Sequence, residues 1–183
     1  SGSVDEKKIL TKKNITSRIL ILAIPSSWIH SNGYVLIRHR LDKKKINIKI
    51  NIFLKNELIR PTKIYVNEVL NLINKKLLNG CANITGGGLS DNIKRVIPDG
   101  LSADIYLNKI KTLKIFKWLK QNNISDREML KTFNCGVGFC LIISSKNLKK
   151  INRFFSKEYN HYVLGKIMRG QNKDKQNEKI KRK

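Results

Sequence analysis

The sequence predicts an α/β fold of the α+β kind, one mixed β-sheet with helices packed on it. Three observations point there. Short apolar runs of strand length alternate along the chain with segments whose apolar residues recur at helical spacing. Clusters of Gly, Pro, Asn and Ser punctuate the joins. The 183 residues, 40% of them hydrophobic, suffice for a single domain with a real core.

Taken in order, residues 1–17 are polar with few apolar positions and read as a lead-in segment. Arg18 to Pro25 has the length and Ile/Leu content of a strand. Ser26 to Gly33 is a loop rich in hydrogen-bonding side chains, and Tyr34 to Leu41 reads as a helix. Lys45 to Leu54 alternates apolar and polar residues with period two. That pattern predicts a strand with Ile46, Ile48, Ile50 and Ile52 on one face. After Pro61-Thr62, residues Ile64, Val66, Val69, Leu70, Ile73 and Leu77 recur at helical spacing, with the proline as opener.

Cys81 to Ile84 is a short apolar stretch ahead of a glycine-rich loop and a helix start. Pro98-Asp99-Gly100 predicts a turn, Ser102 to Leu107 a strand and Ile115 to Leu119 a helix. Ser125 and Glu128 have capping-box spacing, with Met129, Leu130 and Phe133 following on one face. Phe139 to Ile143 and Tyr162 to Ile167 read as strands, with a helix at Leu148 to Phe155 between them. The domain is thus expected over residues 18–169. Residues 170–183 are almost wholly polar with one Ile, too little apolar surface to order themselves, and read as a disordered basic tail.

Charge is the conspicuous total: Lys+Arg 38 against Asp+Glu 13, a formal +25. Clustered cations suit nucleic acid through counterion release. Here the lysines are spread over the whole chain and accompany many Asn and Ile residues, a composition that A/T-rich codons alone produce. Nonspecific contact with nucleic acid and other polyanions is expected either way. Cys81, Cys135 and Cys140 are odd in number and lack C-x-x-C spacing, which argues against a disulfide framework or structural zinc and suits a reducing cytosol. The longest apolar run, Ile19 to Ile24, is far short of the roughly 20 residues a membrane span needs. No membrane role is expected, and no acidic cluster suggests a metal site.

Thr85-Gly86-Gly87-Gly88 has two readings, a plain glycine-rich turn joining strand to helix or a phosphate-holding loop. Three glycines between a strand and a helix start put backbone N–H groups and a helix N-terminus at one point, the physical recipe for holding a phosphate. Glycine also permits positive φ and close approach of a ligand.

Four segments together resemble one family, the phosphoribosylformylglycinamidine cyclo-ligases, also called aminoimidazole ribonucleotide (AIR) synthetases, of purine biosynthesis. They are His30-Ser31-Asn32-Gly33-Tyr34, Pro61-Thr62-Lys63-Ile64-Tyr65-Val66, Ile84 to Leu89 with Asn92-Ile93, and Phe133-Asn134-Cys135-Gly136-Val137-Gly138. Arg95 to Pro98 and Val163 to Lys166 fit in the same order. The glycine loop alone also occurs in selenophosphate synthetase and formylglycinamidine ribonucleotide synthetase; the second and fourth segments are more specific to the cyclo-ligase.

The resemblance implies the C-terminal domain of a two-domain enzyme. The N-terminal domain would then be the partner, in cis or trans. It would form the homodimer and hold most of the ATP and Mg²⁺. The reaction so implied converts formylglycinamidine ribonucleotide to AIR, with ADP and phosphate released, in the cytoplasm. It needs positioning and anion stabilisation more than a protein nucleophile. On this reading His30 is the catalytic candidate, as an acid/base or an orienting group. Ser27, Ser31, Asn32, Thr85, Gly86, Gly87, Gly88, Asn134 and Gly136 are expected to contact substrate or phosphate or to wall the cleft. Cys135, Thr62 and Tyr65 read as structural. Two departures fall at the site. Asn83 stands where the family usually has His, and Trp28-Ile29 where it usually has Gly-Pro, two bulky residues expected to narrow the cleft or reshape the loop. The alternative is a noncatalytic basic domain of the same fold that binds nucleic acid or another polyanion.

Overall fold

The computed structural model describes residues 5–30, 32–155 and 159–170; the expected tail beyond Gly170 lies outside them. The strands are β1 (Leu20–Pro25), β2 (Gly80–Asn83), β3 (Leu101–Ile105), β4 (Val137–Ile143) and β5 (Tyr162–Arg169). The helices are α1 (Tyr34–Lys43), α2 (Ile52–Ile59), α3 (Val66–Asn74), α4 (Gly88–Val96), α5 (Lys114–Gln121), α6 (Asp126–Thr132) and α7 (Leu148–Phe154). Among the described residues no helix is long and apolar enough to cross a membrane.

One five-stranded sheet, in the order β2-β4-β1-β5-β3, organises the chain. Its central strand is unbroken apolar sequence because both faces are covered. Ile21 and Ala23 of β1, with Cys140 and Ile142 of β4, pack under Leu89, Ile93 and Ile97 in and just after α4. The alternate residues Leu22, Ile24, Leu141 and Ile143 pack under Val69 and Leu72 of α3 and Ile151 of α7. Period-two alternation along a doubly covered strand thus sorts residues between two cores instead of between core and water. Before β1, Ile15 packs into the first of these cores, and Asn79 Nδ2 donates to Asn14 O.

A third apolar cluster lies beside the sheet. Ile37 and Leu41 of α1, Leu54 of α2, Ile115, Phe116 and Leu119 of α5 and Met129 of α6 close around Trp28, Ile29 and Phe133. Trp28 and Ile29 are therefore core residues, 4% and 0% exposed. Their bulk goes into this helical cluster and not into a cleft.

All four strand pairings are antiparallel, where a mixture of directions was expected. Strands of common direction are kept apart: β4 lies between β1 and β2, and β1 lies between β4 and β5. The helical crossovers from β1 to β2 and from β4 to β5 each skip one position, filled by a strand of opposite direction as in split βαβ units, while the connection from β2 to β3 through α4 runs from one edge of the sheet to the other.

Lys45 to Leu54 forms no strand. Asn51 Oδ1 accepts from Leu54 N and starts α2 there. Ile46 and Ile48 lean on the helical cluster, while Ile50 and Ile52 stand 79% and 72% exposed. The helix expected from Pro61 starts later, at Val66, because the preceding segment is tied to the β1 exit. Ser27 Oγ donates to Pro61 O (3.2 Å) and Tyr65 Oη to Pro25 O (3.3 Å). Half of the expected capping box forms: Ser125 Oγ accepts from Glu128 N, but the Glu128 carboxylate accepts from Thr132 Oγ1 (2.6 Å) instead.

Candidate functional site

Three loops meet at one end of the sheet: the exit from β1, the exit from β2 and the approach to β4. Pro25, where β1 slips register against β4, lies opposite Val137, and Asn83 pairs with Phe139. Such an irregularity is common where a strand end must aim its loop. Nearly all the residues singled out from the sequence fall here; Ser31 lies outside the described residues.

Asn134 ties two of the loops together. Fully buried, it donates through Nδ2 to Trp28 O (2.8 Å), and its Oδ1 accepts from Gly136 N (3.0 Å) and from Ser26 Oγ (3.4 Å). Gly136 adopts φ +101°, and a Cβ there would meet Lys111 O at 2.5 Å. Asn134 and Gly136 thus shape the wall, with their polar groups committed within the fold. Cys135 is buried as well, its Sγ donating to Met129 O (3.3 Å), and burial pushes its thiol up to about 12.

The glycine loop is braced by a residue that sequence reasoning had not placed in the site. Asn92 Nδ2 donates to the carbonyls of Thr85 (3.2 Å), Gly86 (3.2 Å) and Gly88 (2.7 Å), and Asn92 Oδ1 accepts from Thr85 Oγ1 and from Arg95 Nη1, both at 3.4 Å. Gathering three carbonyls on one amide fixes the loop's inner side. Gly87 (φ +92°) and Gly88 (φ +65°) make the turn into α4. Two of the corner's N–H groups are already spent, Gly88 N on Thr85 O and Leu89 N on Phe133 O. The side chains of Asp91 and Arg95 flank Gly87. The signal for Asn92 was its place four residues after Gly88, where a helical side chain leans back toward the helix N-terminus and over the loop.

Asn32 faces this loop. Its Oδ1 lies 3.9 Å from the position a Cβ would take on Gly86, and its Nδ2, shielded from solvent, has no acceptor among the described residues. Thr85 and Gly86 are exposed, as is Asn83 at the end of β2.

His30 closes the other side. It adopts φ +55°, is 6% exposed, and its Nε2 lies 3.2 Å from Tyr65 Oη. Burial pulls the imidazole down to about 4, so it is neutral at physiological pH. Ser27 is partly exposed, its hydroxyl given to Pro61 O. Cavities of about 410 and 430 Å³ lie elsewhere, the first lined by Lys75, Leu77, Lys150, Arg153 and Phe154, the second by Ser17, Arg18, Met168 and Arg169. Among the described residues no group of three His, Cys, Asp or Glu side chains gathers as a metal cage.

Residues 19–175 match the family described as AIR synthase related protein, C-terminal domain. The chain belongs to that family. It is 39% identical over 175 residues to the chloroplastic/mitochondrial phosphoribosylformylglycinamidine cyclo-ligase of Vigna unguiculata, covering 92% of this chain and 45% of that protein. It is 36% identical over 179 residues to the cyclo-ligase of Ligilactobacillus salivarius (strain UCC118), covering 91% and 51%. The chain thus spans about half the length of the curated relatives it matches. Among solved structures, thiamine-monophosphate kinase from Stenotrophomonas maltophilia K279a superposes with a TM-score of 0.62 at 14% identity, over 92% of this chain and 53% of that one. This AIR synthase-type fold is what the two share.

Proposed function

We propose that this chain forms the C-terminal half of a phosphoribosylformylglycinamidine cyclo-ligase and acts together with an N-terminal half that carries most of the ATP contacts. The observation that supports this best is the facing pair of Asn32 and the glycine loop. An amide donor shielded from solvent and without an acceptor among the described residues, opposite glycine N–H groups at a helix N-terminus, is suited to an oxygen-rich anion. In this reading Asn32 Nδ2 and the N–H groups of Gly86 and Gly87 take phosphate oxygens of the ribonucleotide or nucleotide. Thr85 lines the approach, and His30 contacts the reacting amidine or formyl group. The protein then works by holding the formyl oxygen to be activated close to the ring-closing nitrogen.

Magnesium does not fit the described residues of this chain, which gather no carboxylate cluster, and no step is assigned to it here. The apolar residues in and beside the Pro61–Tyr65 segment favour a covering partner: Ile59, Ile64 and Val66 are 69%, 75% and 56% exposed. Homodimerisation through the N-terminal half, and a cytoplasmic setting, belong to the same reading.

A second reading has one specific observation behind it. At the opposite end of the sheet, Lys75, Lys150 and Arg153 line one cavity with Phe154 and Leu77, a basic pocket suited to polyanions. Nucleic-acid binding there is expected to weaken steeply with salt.

The deciding experiment is ATP- and substrate-dependent AIR formation by the chain alone and mixed with a cyclo-ligase N-terminal half. Product in the mixture only is the expected result. A folded, paired and inactive mixture overturns the catalytic reading and leaves polyanion binding as the function to pursue.

A further inference from the structure

We propose that Tyr65 is a positioning residue that fixes the tautomer of His30, holding the ring proton on Nε2 and leaving the lone pair on Nδ1 as an acceptor for a substrate N–H. The proposal deepens the cyclo-ligase reading and rests on it for the identity of that donor.

The inference follows from counting protons. Tyr65 Oη lies 3.3 Å from Pro25 O and 3.2 Å from His30 Nε2. A carbonyl oxygen only accepts, and a phenol has one proton. With that proton given to Pro25 O, the contact with His30 is made only if Nε2–H donates to Oη. The relay therefore runs His30 Nε2–H to Tyr65 Oη–H to Pro25 O. Tyr65 is 5% exposed, so water does not readily take over either bond, and leaving a buried carbonyl or hydroxyl unpaired is costly.

The surroundings are built for this pair. Tyr65 lies against Phe139 with ring centroids 5.6 Å apart, and His30 against Tyr65 at 5.7 Å. Gly138 clears the space: a Cβ there would collide with Tyr65 Oη and come within 2.7 Å of His30 Cε1. His30 also holds a left-handed backbone, φ +55°, which a side chain adopts at a cost. Tyr65 arrives at the start of α3 because the segment Pro61 to Tyr65 is held against the β1 exit by Ser27 Oγ on Pro61 O and Tyr65 Oη on Pro25 O.

The chemical consequence is selective. An imidazole protonated on Nε2 and occupied there cannot donate to a phosphate or formyl oxygen. Its free function is to accept, which suits an amidine N–H, the group whose nitrogen closes the ring. His30 then orients the nucleophile, and the glycine loop with Asn32 takes the anion.

The test is the nitrogen spectrum of the histidine rings in ¹⁵N-labelled chain near neutral pH, with His30 assigned by loss of its signals in His30→Gln. One protonated nitrogen at Nε2 and one bare nitrogen at Nδ1 are expected. In Tyr65→Phe, which keeps the ring and loses the hydroxyl, both nitrogens are expected to move toward averaged, exchanging positions while the amide spectrum of the sheet stays in place. A proton on Nδ1 in the unsubstituted chain overturns the proposal, whether or not Tyr65→Phe folds. So does an Nε2–H pattern that survives the loss of the hydroxyl. Because the spectra need only this chain, failure of AIR formation in the mixed assay counts against the cyclo-ligase reading alone.

Discussion

Gly88 sits so close to Leu130 that a single methyl on its Cα would run into the Leu130 carbonyl oxygen, and it would lie 2.6 Å from the Lys131 carbonyl carbon. The glycine loop is thereby seated on the end of α6, and Leu89 N adds a bond to Phe133 O (3.2 Å). Gly88→Ala is expected to lower unfolding free energy by about 2–4 kcal/mol, since backbone on both sides must give way and φ is +65°. Gly100→Ala is the control: its φ is +79°, but a Cβ there meets open space, and a cost of only about 1 kcal/mol is expected. Urea denaturation of the two variants checks both values.

Asn92 and Asn134 each satisfy several backbone groups with one amide. Asn92→Ala and Asn134→Ala are each expected to cost about 2–3 kcal/mol, because buried carbonyls and N–H groups are left unpaired. Asn83, exposed at the end of β2, is expected to change stability by less than about 0.5 kcal/mol when replaced by Ala. Chemical denaturation ranks the three. Hydrogen exchange in the Thr85–Leu89 segment is expected to speed up in Asn92→Ala and to stay unchanged in Asn83→Ala.

Most of the sheet was legible because a doubly covered strand writes itself as an unbroken apolar run, as Leu20 to Ile24 and Val137 to Ile143 do. The error at Lys45 to Leu54 has a physical reason. Its alternation describes a strand only if another strand pairs with it, and among the described residues none does: the sheet ends at β2 and β3. Local capping by Asn51 then decided the outcome. In the site, glycines announced themselves because few other residues suit a left-handed turn. Asn92 did not, because in a chain this rich in Asn a buried bracing amide reads like any other. Trp28 and Ile29 misled for a related reason: their side chains point into a helical core whose other members run from Ile37 to Cys135.

Acid is expected to loosen the fold through His30. Its folded value, pulled down to about 4 by burial, lies below the ordinary value of about 6.5, so the unfolded chain takes up the proton first. Stability contributed by neutral His30 is complete above about pH 6.5 and is lost as pH falls toward 4, by roughly 1–3 kcal/mol. Thermal melts from pH 7.5 to 4.5 are expected to show a shallower decline in His30→Gln than in the unsubstituted chain.

The thiols are expected to be quiet. Burial raises Cys81, Cys135 and Cys140 alike, Cys135 to about 12, and the thiolate is the reactive form. At pH 8 a disulfide-exchange reagent is expected to titrate the native protein slowly and all three thiols at once after unfolding. Rapid modification of Cys135 in the folded chain contradicts its placement between Met129 O and Phe133 O.

The interleaved strand order also dictates when the sheet can exist. β1 is made before every other strand of this sheet, yet its two neighbours, β4 and β5, are the last two strands to be made. Until Val137 to Arg169 have been made, β1 waits as an apolar ribbon with two bare edges, the state most open to mispairing. Nascent-chain protection, more than the strength of any finished contact, is what the early part of this sequence requires.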